Sequence, residues 1–446
     1  MTWTTLLLML LLLLVLLFFT LTRRSRYREP PLDKGIIPWL GHALEFGRDA
    51  AKFLTRMKLK HGNIFTVRAA GRYVTVLLDP HSYDAVLGDS ECLDFTRYAQ
   101  VLMDRIFNLQ LPLDQHFLGM NAAALDSIIS RHLRALLKAK TPTNQKDWKE
   151  EGLFHLCYSL LFKAGYLTLF GGEQNNNGAD PSSVYDEYKK FDGLLTKMAR
   201  GTLRAGRDTF CYSGRRQRKT DLIVVLICAF VCFQGNVGPA AFWLLGHLLT
   251  NPEALTAVKK EFSQISQMET TEIPFKDKPV DTPVFDSALQ EALRLTAAPF
   301  ITREVVQEKS LRMADGQEYL LRKGDRVCLF PFISPQMDPE VYHEPQKFKH
   351  NRFLNEDGSV KENFYKGGRR LKYYTMPWGA GTNGCVGKQF AINTIRQFVY
   401  KFLTSFDLEL CDPNASVPEI NASRYGFGML QPDGDLLVRY KPKNKD

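Results

Sequence analysis

The chain of 446 residues lacks the patterns that most directly assign a protein to a class of site. It has no CxxC motif and no histidine pair at zinc spacing, which argues against a structural zinc site. Its eight cysteines are scattered, a distribution typical of buried thiols in a reducing compartment. No basic stripe with interleaved aromatic residues occurs, so we expect no nucleic-acid partner. The net charge of +10 is interpreted as dispersed, solvated Lys and Arg.

Internal repeats and a flexible linker within the bulk of the chain are also absent, although the length would allow about two or three domains. What is present is an apolar run, Leu6–Leu21, followed by the basic segment Arg23–Arg28. Such a run approaches the length that spans a bilayer, and the following arginines place the remainder in the cytosol. A cleaved signal peptide would need a basic start and a small-residue cleavage site, and neither is present. We therefore expect a transmembrane signal anchor at 1–22, a basic, proline-rich linker at 23–41 and a globular domain at 42–446 on the endoplasmic reticulum membrane.

Periodicity and breaker residues predict a mainly α-helical domain with small β-sheets at its edges. Helical patterns are found at 50–60, 81–87, 128–137, 153–169, 184–198, 222–249, 283–295, from residue 252 onward and in a long run after residue 387. The segments 63–67 and 73–78 alternate around a glycine turn and predict a β-hairpin. Short strands are expected around the turns near residues 315 and 324, and 338–374 is an irregular stretch.

One short segment, Pro377–Phe390 (PWGAGTNGCVGKQF), places a lone cysteine among glycines at the start of a helix-like run. Glycines remove side chains where a large partner approaches the backbone, and a helix N-terminus stabilises a thiolate. A catalytic nucleophile at Cys385 would need a base, and no His lies nearby in sequence. An inert thiol is the usual fate of a lone cysteine. A single cysteine also suits a metal whose other ligands come from a macrocycle, as in haem, and on this loop alone both interpretations stay open.

Two further motifs accompany the cysteine loop. Glu291 and Arg294 lie three residues apart on one face of a predicted helix, which by itself most often marks a surface ion pair. Arg352 follows in the irregular stretch. E-x-x-R, this arginine and W-x-x-G-x-N-x-C-x-G resemble, in their order, the motifs of the haem-thiolate cytochromes P-450, and the resemblance extends over nearly the whole chain. It implies a cytochrome P-450 fold, haem b with Cys385 as axial ligand, and a buried triad of the three charged residues that holds the irregular stretch and the cysteine loop.

The chain departs from the family pattern in two places. The family usually has Phe where Trp378 stands and Arg where Asn383 stands, and Asn383 can offer a haem propionate only neutral hydrogen bonds. Monooxygenases of the family usually place an acid and a Thr within the long central helix, whereas Gln234–Trp243 has no Asp, Glu or Thr. A site without proton donors suits a substrate that brings its own weak O–O bond. Pro239 is expected to break the helix there and free carbonyls near the haem; a plain kink in a core helix is the alternative.

These departures resemble the family member that isomerises prostaglandin H2 to prostacyclin. The resemblance implies homolysis of the endoperoxide O–O bond at the haem, without oxygen, NADPH or reductase. Gln234–Trp243 is equally similar to a sterol 12α-hydroxylase, which leaves that monooxygenase as the alternative, whereas Leu295–Glu304 and Ser423–Pro432 favour the isomerase. The expected partners are a lipid endoperoxide and the endoplasmic reticulum membrane.

The resemblance also implies the site residues. Asn236 is expected to steer the endoperoxide over the iron as a catalytic residue beside Cys385, with capping of the broken helix as its structural alternative. Apolar residues are expected to line a lipid-sized pocket, although core residues would look the same: Ala240, Ala297, Phe300 and Leu430. The residues expected around the haem are Trp378, Gly379, Gly381, Asn383, Cys385 and Gly387.

Two segments fit the family less well. Where the family usually has two more helices and a long connection, this chain has only the short, atypical segment 199–233. The segment 114–140 is also short and lacks the Trp-x-x-x-Arg pattern that often holds a propionate, for which Arg131 and Arg134 are substitutes. The alternative from another class is therefore an inactive isoform that binds haem in the membrane without turning over substrate.

Overall fold

The computed structural model describes residues 3–21, 26–108, 122–140, 147–171, 180–203, 217–268 and 281–443. Within these ranges the chain is mainly helical with small sheets, as predicted. The helices are α1 (Trp3–Leu21), α2 (Ala43–Arg48), α3 (Ala50–His61), α4 (Asp84–Leu87), α5 (Phe95–Phe107), α6 (Ala122–Ala139), α7 (Leu153–Phe170), α8 (Pro181–Ala199), α9 (Gln217–Leu249), α10 (Pro252–Met268), α11 (Pro283–Thr296) and α12 (Lys388–Ser405).

The strands are short and fall into four sheets. They are β1 (Leu32–Asp33), β2 (Ile64–Ala69), β3 (Arg72–Leu77), β4 (Leu93–Asp94), β5 (Lys149–Gly152), β6 (Ile301–Val305), β7 (Lys309–Arg312), β8 (Glu318–Leu321), β9 (Arg326–Leu329), β10 (Tyr365–Lys366), β11 (Arg369–Arg370), β12 (Phe406–Leu410) and β13 (Leu437–Pro442). The chain groups by its contacts into a first unit, Met1–Phe95 with Ile301–Phe330, and a second unit, Thr96–Phe300 with Pro331–Asp446.

The first unit is built on a six-stranded sheet in the order β1-β2-β3-β9-β6-β4. The predicted hairpin is confirmed: β2 and β3 pair antiparallel, with Ile64 opposite Leu77. β1 pairs parallel with β2, so part of the segment interpreted as a linker contributes a strand to this sheet. β7 and β8 form a separate hairpin.

The second unit is helical and holds the largest hydrophobic core of the described residues. α7 packs along α9, and α6, α11 and α12 pack around them. Both α7 and α9 are apolar over most of their circumference, as expected of helices with buried neighbours on several sides. α11 begins with a proline at its first turn and carries Arg294 in its last turn, which suits the helix dipole. The three-stranded sheet β12-β13-β5 lies at the edge.

Three sequence predictions need correction. α9 is continuous through Pro239, so the predicted break is wrong. Packing on neighbouring helices compensates for the loss of the one backbone hydrogen bond that proline cannot make. The predicted helix at 81–87 is a 3₁₀ turn, Pro80–Ser82, followed by the short α4. α5 was not predicted, although Tyr98, Leu102 and Ile106 recur at helical spacing.

The apolar N-terminal run forms α1, in which the side chains of Leu6–Leu14 are each more than half exposed. By length and composition, α7 is the one described helix that could cross a membrane, but 56% of it is buried, so it is a core helix. In α1 the corresponding apolar stretch, Trp3–Val15, is shorter than the length by which α7 qualifies. The atypical segment 199–233 lies partly outside the described residues, as does the first part of 114–140.

Candidate active site

The three charged residues of the predicted triad meet in the interior of the second unit. Arg294 binds Glu291 with two hydrogen bonds, Nε to Oε2 at 2.7 Å and Nη2 to Oε1 at 2.9 Å. Arg352 donates from Nε to Oε1 of the same carboxylate at 2.7 Å. Glu291 and Arg294 are fully buried, so one carboxylate is shared by two guanidinium groups away from water. Such charges are stable in an interior only when paired and hydrogen-bonded.

The two arginines also fix the irregular stretch to α11. Arg352 donates to the carbonyl oxygens of His343 and Lys347, each at 2.8 Å. Arg294 donates from Nη1 to the carbonyl oxygen of Gln336 at 2.6 Å, and its guanidinium lies 4.7 Å from the ring centre of Tyr342. The triad therefore holds backbone that has no regular secondary structure of its own.

Gln336 and Tyr342 extend this connection toward the cysteine loop, and neither residue was predicted from the sequence. The fully buried Gln336 amide donates to the carbonyl oxygens of Arg294 and Ala297, at 3.0 and 2.8 Å. Its Oε1 accepts from the Met376 N–H at 3.3 Å, directly before the loop. Tyr342 donates from its hydroxyl to the Tyr374 carbonyl at 2.7 Å. Neither residue belongs to a periodic segment, so only the tertiary structure reveals them.

The cysteine loop turns back on itself before α12. Gly379 and Gly381 have φ angles of 67° and 70°, which favour glycine. The Cys385 N–H donates to the Trp378 carbonyl at 2.9 Å, and α12 begins at Lys388. This backbone bond holds Cys385 between the turn and the first turn of the helix.

Cys385 differs from the other described cysteines in its surroundings. It is exposed, whereas Cys157 and Cys328 are buried. Burial raises the pKa of the Cys157 thiol well above its usual value and that of Cys328 to about 12. Thiolate formation at these two sites is therefore disfavoured. Cys92 and Cys411 are half-buried, so among the described cysteines Cys385 is the most open to an external group.

The loop fits a large, flat ligand on this side. A Cβ atom built on Gly379, Gly384 or Gly387 would meet only atoms of the loop itself, at 3.4–3.9 Å, so within the described residues no other segment comes within 4 Å of these positions. No group of three or more His, Cys, Asp or Glu that could hold a metal occurs in the described part of the chain. Cys385 thus offers one sulfur ligand beside a face of bare backbone, which suits a metal that arrives with its own macrocycle.

The other loop residues frame this face. The half-buried Trp378 packs on the core, as does Phe390 in the first turn of α12. The Phe390 ring lies 5.2 Å from that of Phe233, so α9 runs beside the start of α12. The Asn383 amide is 3.5 Å from Thr382 Oγ1, a long contact with its neighbour. The substitutes proposed for a propionate contact, Arg131 and Arg134, are exposed on α6.

Asn236 on α9 contacts a seam formed by two segments that are distant in sequence, 296–300 and 426–430. Its Oδ1 accepts from the Met429 N–H at 2.9 Å. Across the seam, the Leu430 N–H donates to the Thr296 carbonyl at 2.9 Å. Gly428 has a φ of 88°, and a Cβ there would lie 2.4 Å from Asn236 Oδ1. Asn236 thus joins α9 to the seam, a different structural role from the predicted capping of a broken helix.

The remaining predicted pocket residues gather at the same seam. Ala297 and Leu430 belong to its two segments, and Ala240 lies one turn after Asn236 on α9; all three are almost fully buried. The Phe300 ring occupies the space that a side chain on Gly426 would need. The structure therefore brings Asn236, Ala240, Ala297, Phe300 and Leu430 to one place.

The seam is itself fixed to α8 by an ion pair that the sequence did not predict. Arg424 binds the buried Asp192 carboxylate, Nη2 to Oδ1 at 2.9 Å and Nη1 to Oδ2 at 3.2 Å. Gln431 donates to Oδ2 at 2.7 Å. At the end of α8, Arg200 donates to the Ser423 carbonyl at 2.7 Å. These contacts hold both ends of the 423–431 segment against one helix.

Comparison with known proteins places the chain in a family. The profile of the Cytochrome P-450 family matches residues 237–438. Prostacyclin synthase of Bos taurus is 47% identical over 473 aligned residues, covering 93% of this chain and 94% of the relative. Prostacyclin synthase of Homo sapiens is 46% identical over 471, with the same coverage. The 7-alpha-hydroxycholest-4-en-3-one 12-alpha-hydroxylase of Oryctolagus cuniculus is 37% identical over 483, covering 95% of each chain. These alignments are longer than the chain of 446 residues, in keeping with a chain shortened relative to such proteins.

Proposed function

The chain belongs to the cytochrome P-450 family, and we propose that it is a prostaglandin-I synthase, which isomerises prostaglandin H2 to prostacyclin. The observation that carries the proposal is the 47% identity to a prostacyclin synthase over 93% of this chain, against 37% to a 12α-hydroxylase. The segment Gln234–Trp243 of α9 is compatible with this choice: it brings Asn236 to the seam and supplies no Asp, Glu or Thr that would deliver protons to dioxygen.

The cofactor is haem held by a cysteine thiolate, and we assign Cys385 as that ligand. Its exposed sulfur, the bare glycine face of the loop and the adjoining helix N-terminus fit a porphyrin bound through one thiolate. We propose that Trp378, Gly379, Gly381, Asn383 and Gly387 form the loop surface that contacts it. Asn383 supplies neutral hydrogen bonds where the family has a cation.

Haem with a thiolate ligand supplies cleavage of the endoperoxide O–O bond, because thiolate donation favours breaking that bond. The chain keeps the sulfur in place: Glu291, Arg294 and Arg352 fix the irregular stretch, and Gln336 connects it to Met376 before the loop. Asn236, held at 2.9 Å from the Met429 N–H, orients the polar end of the substrate. Ala240, Ala297, Phe300 and Leu430 surround its apolar part. Because the rearrangement leaves the substrate's atoms and oxidation level unchanged, it consumes no reducing equivalents and requires no reductase.

We further propose that α1 anchors the enzyme in the endoplasmic reticulum membrane, with the catalytic domain in the cytosol. The exposed leucines of α1 are costly in water and favourable in lipid. The organisation is then an anchor at 1–22, a linker at 23–41, part of which joins the sheet through β1, and a catalytic domain at 42–446.

Two other functions compete with this one. A 12α-hydroxylase is favoured by the 37% identity and by the resemblance of Gln234–Trp243 to that enzyme. An inactive haem-binding isoform is favoured by the shortened middle of the chain. The hydroxylase requires NADPH and a reductase and the isomerase does not, which gives a direct test.

The test gives the haem-loaded full chain, in microsomal membranes, either prostaglandin H2 alone or 7α-hydroxycholest-4-en-3-one with NADPH and a reductase. The isomerase converts the endoperoxide at a rate that NADPH does not change and leaves the sterol intact. Production of a 12α-hydroxylated sterol with no conversion of the endoperoxide would replace the proposal by the hydroxylase. Inertness toward both substrates would favour the inactive isoform.

A further inference from the structure

A cavity of about 400 Å³ lies in the second unit, near the C-terminal end of α9 and about three turns beyond Asn236. Its walls include Trp243 and His247 of α9, Leu295 and Thr296 of α11, Phe332 and Ile420. The volume falls in the range of small-molecule sites, and the walls are aromatic and aliphatic with few polar groups, as in such sites.

His247 is one of the polar residues that line this cavity. Its ring stacks on Phe348 with 4.6 Å between centroids and 3° between planes, so its orientation is fixed. Burial, with a contribution from the nearby Arg294 charge, lowers its pKa to about 4. The imidazole is therefore neutral at physiological pH and carries one donor and one acceptor.

Two other polar groups of the wall have partners inside the protein. Trp243 donates from Nε1 to the Leu430 carbonyl at 2.6 Å, and Thr296 donates from Oγ1 to the Ala292 carbonyl at 2.6 Å. The remaining polar side chain of the wall, Gln346, is exposed. No hydrogen bond to the His247 ring nitrogens occurs in the part of the chain that the structure describes. Because His247 is partly exposed, a ligand in the cavity can reach its ring.

We propose that this cavity is a second ligand site, which binds a small, neutral, largely apolar molecule that hydrogen-bonds to His247. A hydroxyl group on an aromatic ring matches it, because the ring packs on Trp243 and Phe332 while the hydroxyl pairs with the imidazole. A carboxylate of the same size does not match, because the wall offers no free cation and a charge would be desolvated without compensation.

The site is joined to the candidate active site through two shared residues. Trp243 and Thr296 line the cavity, and both hold Leu430, through its carbonyl oxygen and its N–H respectively. A ligand that shifts either wall residue therefore acts on the seam where Asn236 and Leu430 meet. This coupling makes the cavity a place from which substrate affinity is tuned.

Fluorine NMR of the haem-loaded full chain in detergent provides the test, with 4-fluorophenol as the probe and 4-fluorobenzoate as its charged counterpart. We expect saturable binding of 4-fluorophenol, at least about tenfold weaker binding of 4-fluorobenzoate, and loss of the saturable component in Ile420→Trp, which fills the cavity. His247→Phe, which keeps the stacking on Phe348 and removes both nitrogens, should weaken binding at least about fivefold. Val417→Phe fills the cavity from another wall residue and serves if Ile420→Trp does not fold.

Binding elsewhere is distinguished by a variant of the seam. Ala240→Phe narrows the candidate substrate pocket and should leave the affinity for 4-fluorophenol within about twofold. Binding that is lost in Ala240→Phe but kept in the cavity-filling variants would overturn the proposal, as would uptake that never saturates above that of detergent alone. The coupling predicts that 4-fluorophenol changes the affinity for a substrate analogue at least about fivefold in the wild type and not in Ile420→Trp; no change in the wild type would refute the coupling.

Discussion

At the residue scale, the site depends on charged and polar side chains that the fold places away from water. The Glu291 carboxylate is shared by Arg294 and Arg352. Arg294 also binds the Gln336 carbonyl oxygen just before the irregular stretch, and Arg352 binds the His343 carbonyl oxygen within it. A buried cluster of this kind contributes little to the free energy of unfolding. Loss of one member nevertheless lowers that free energy strongly, because the remaining charges are left uncompensated. The cluster holds backbone that lacks regular secondary structure in one defined conformation.

Glu291→Gln keeps the shape of this side chain and removes its charge. We expect the free energy of unfolding to fall by about 3–5 kcal/mol, since two buried guanidinium groups lose their counter-ion. Haem retention should fall as well, because the loop depends on the irregular stretch. Urea unfolding and the haem content of purified protein measure the two effects.

Glu409→Gln is the matched control for this substitution. Glu409 pairs with Arg439 at 2.8 Å between β12 and β13, but both side chains are more than 40% exposed. The change in the free energy of unfolding should stay below about 1 kcal/mol. Equal losses in the two variants would show that burial of the triad has no energetic consequence.

His247 gives a prediction about pH. Its pKa is about 4 in the folded protein, against 6.5 for an ordinary histidine, so between these values the unfolded state binds a proton that the folded state does not. The free energy of unfolding therefore falls as pH drops from about 6.5 to about 4, by an amount on the order of 3 kcal/mol from this group. His247→Phe should lose this part of the pH dependence. If denaturant unfolding between pH 4 and 7 gave identical pH profiles for the two proteins, the lowered pKa of His247 would be contradicted.

At this scale the sequence predicts residues that belong to short motifs and misses those that do not. Glu291 with Arg294 and the loop of Cys385 form short motifs, and together with Arg352 they follow the order of motifs in the cytochrome P-450 family, which is what predicts their roles. Gln336 serves the same network, yet it is one polar residue at the end of a short π-helical turn, and its partners at Ala297 and Met376 are set by tertiary packing.

At the scale of elements, α8 and the 423–431 segment depend on each other. Asp192 receives Arg424 and Gln431, and Arg200 binds the Ser423 carbonyl. Since 426–430 is one side of the seam, the position of α8 is communicated to Asn236 and Leu430 through backbone contacts. α5 adds to this arrangement, because Arg105 donates to the Ala199 carbonyl at 3.0 Å.

Asp192→Asn should loosen this connection without disturbing the triad. Leaving Arg424 buried without its counter-ion costs about 3–5 kcal/mol, which favours local separation of α8 from the seam. We expect faster amide hydrogen exchange in α8 and 423–431, with α11 unchanged, and a raised KM for the substrate. Glu187→Gln, on the exposed face of the same helix, is the control and should change neither quantity. Uniform acceleration throughout the second unit would instead mean global destabilisation.

The elements themselves were largely predictable where local signals are strong. Pro181 and Pro283 start helices, and Asp180 accepts from the Ser183 N–H as an N-cap, so α8 and α11 follow from their sequences. Long-range pairing leaves no such signal: β1 joins the sheet only because β2 offers an edge, and the seam unites two irregular segments. Pro239 shows the opposite error, since a strong local breaker is overruled by packing around α9.

At the scale of the whole molecule, the proposed membrane anchor rests on the exposed leucines of α1. The double substitution Leu8→Lys/Leu12→Lys places two charges in the middle of the apolar run, each costing about 2.5–3.5 kcal/mol within a bilayer. We expect the protein to move from the membrane pellet to the supernatant after ultracentrifugation of cell lysate.

Leu437→Lys is the matched control for this substitution, because Leu437 is also about half exposed but lies on β13. Its distribution between pellet and supernatant should equal that of the wild type. Retention of the double variant in the pellet would show that α1 does not anchor the chain.

The proposed function is that this shortened chain still performs the isomerisation through Cys385. The decisive measurement is product formation from prostaglandin H2 by the membrane-bound protein, without NADPH or reductase, for the wild type and for Cys385→Ser. We expect the stable hydrolysis product of prostacyclin from the wild type and a loss of activity in Cys385→Ser. Absence of product from wild-type protein that contains haem with a thiolate ligand would contradict it.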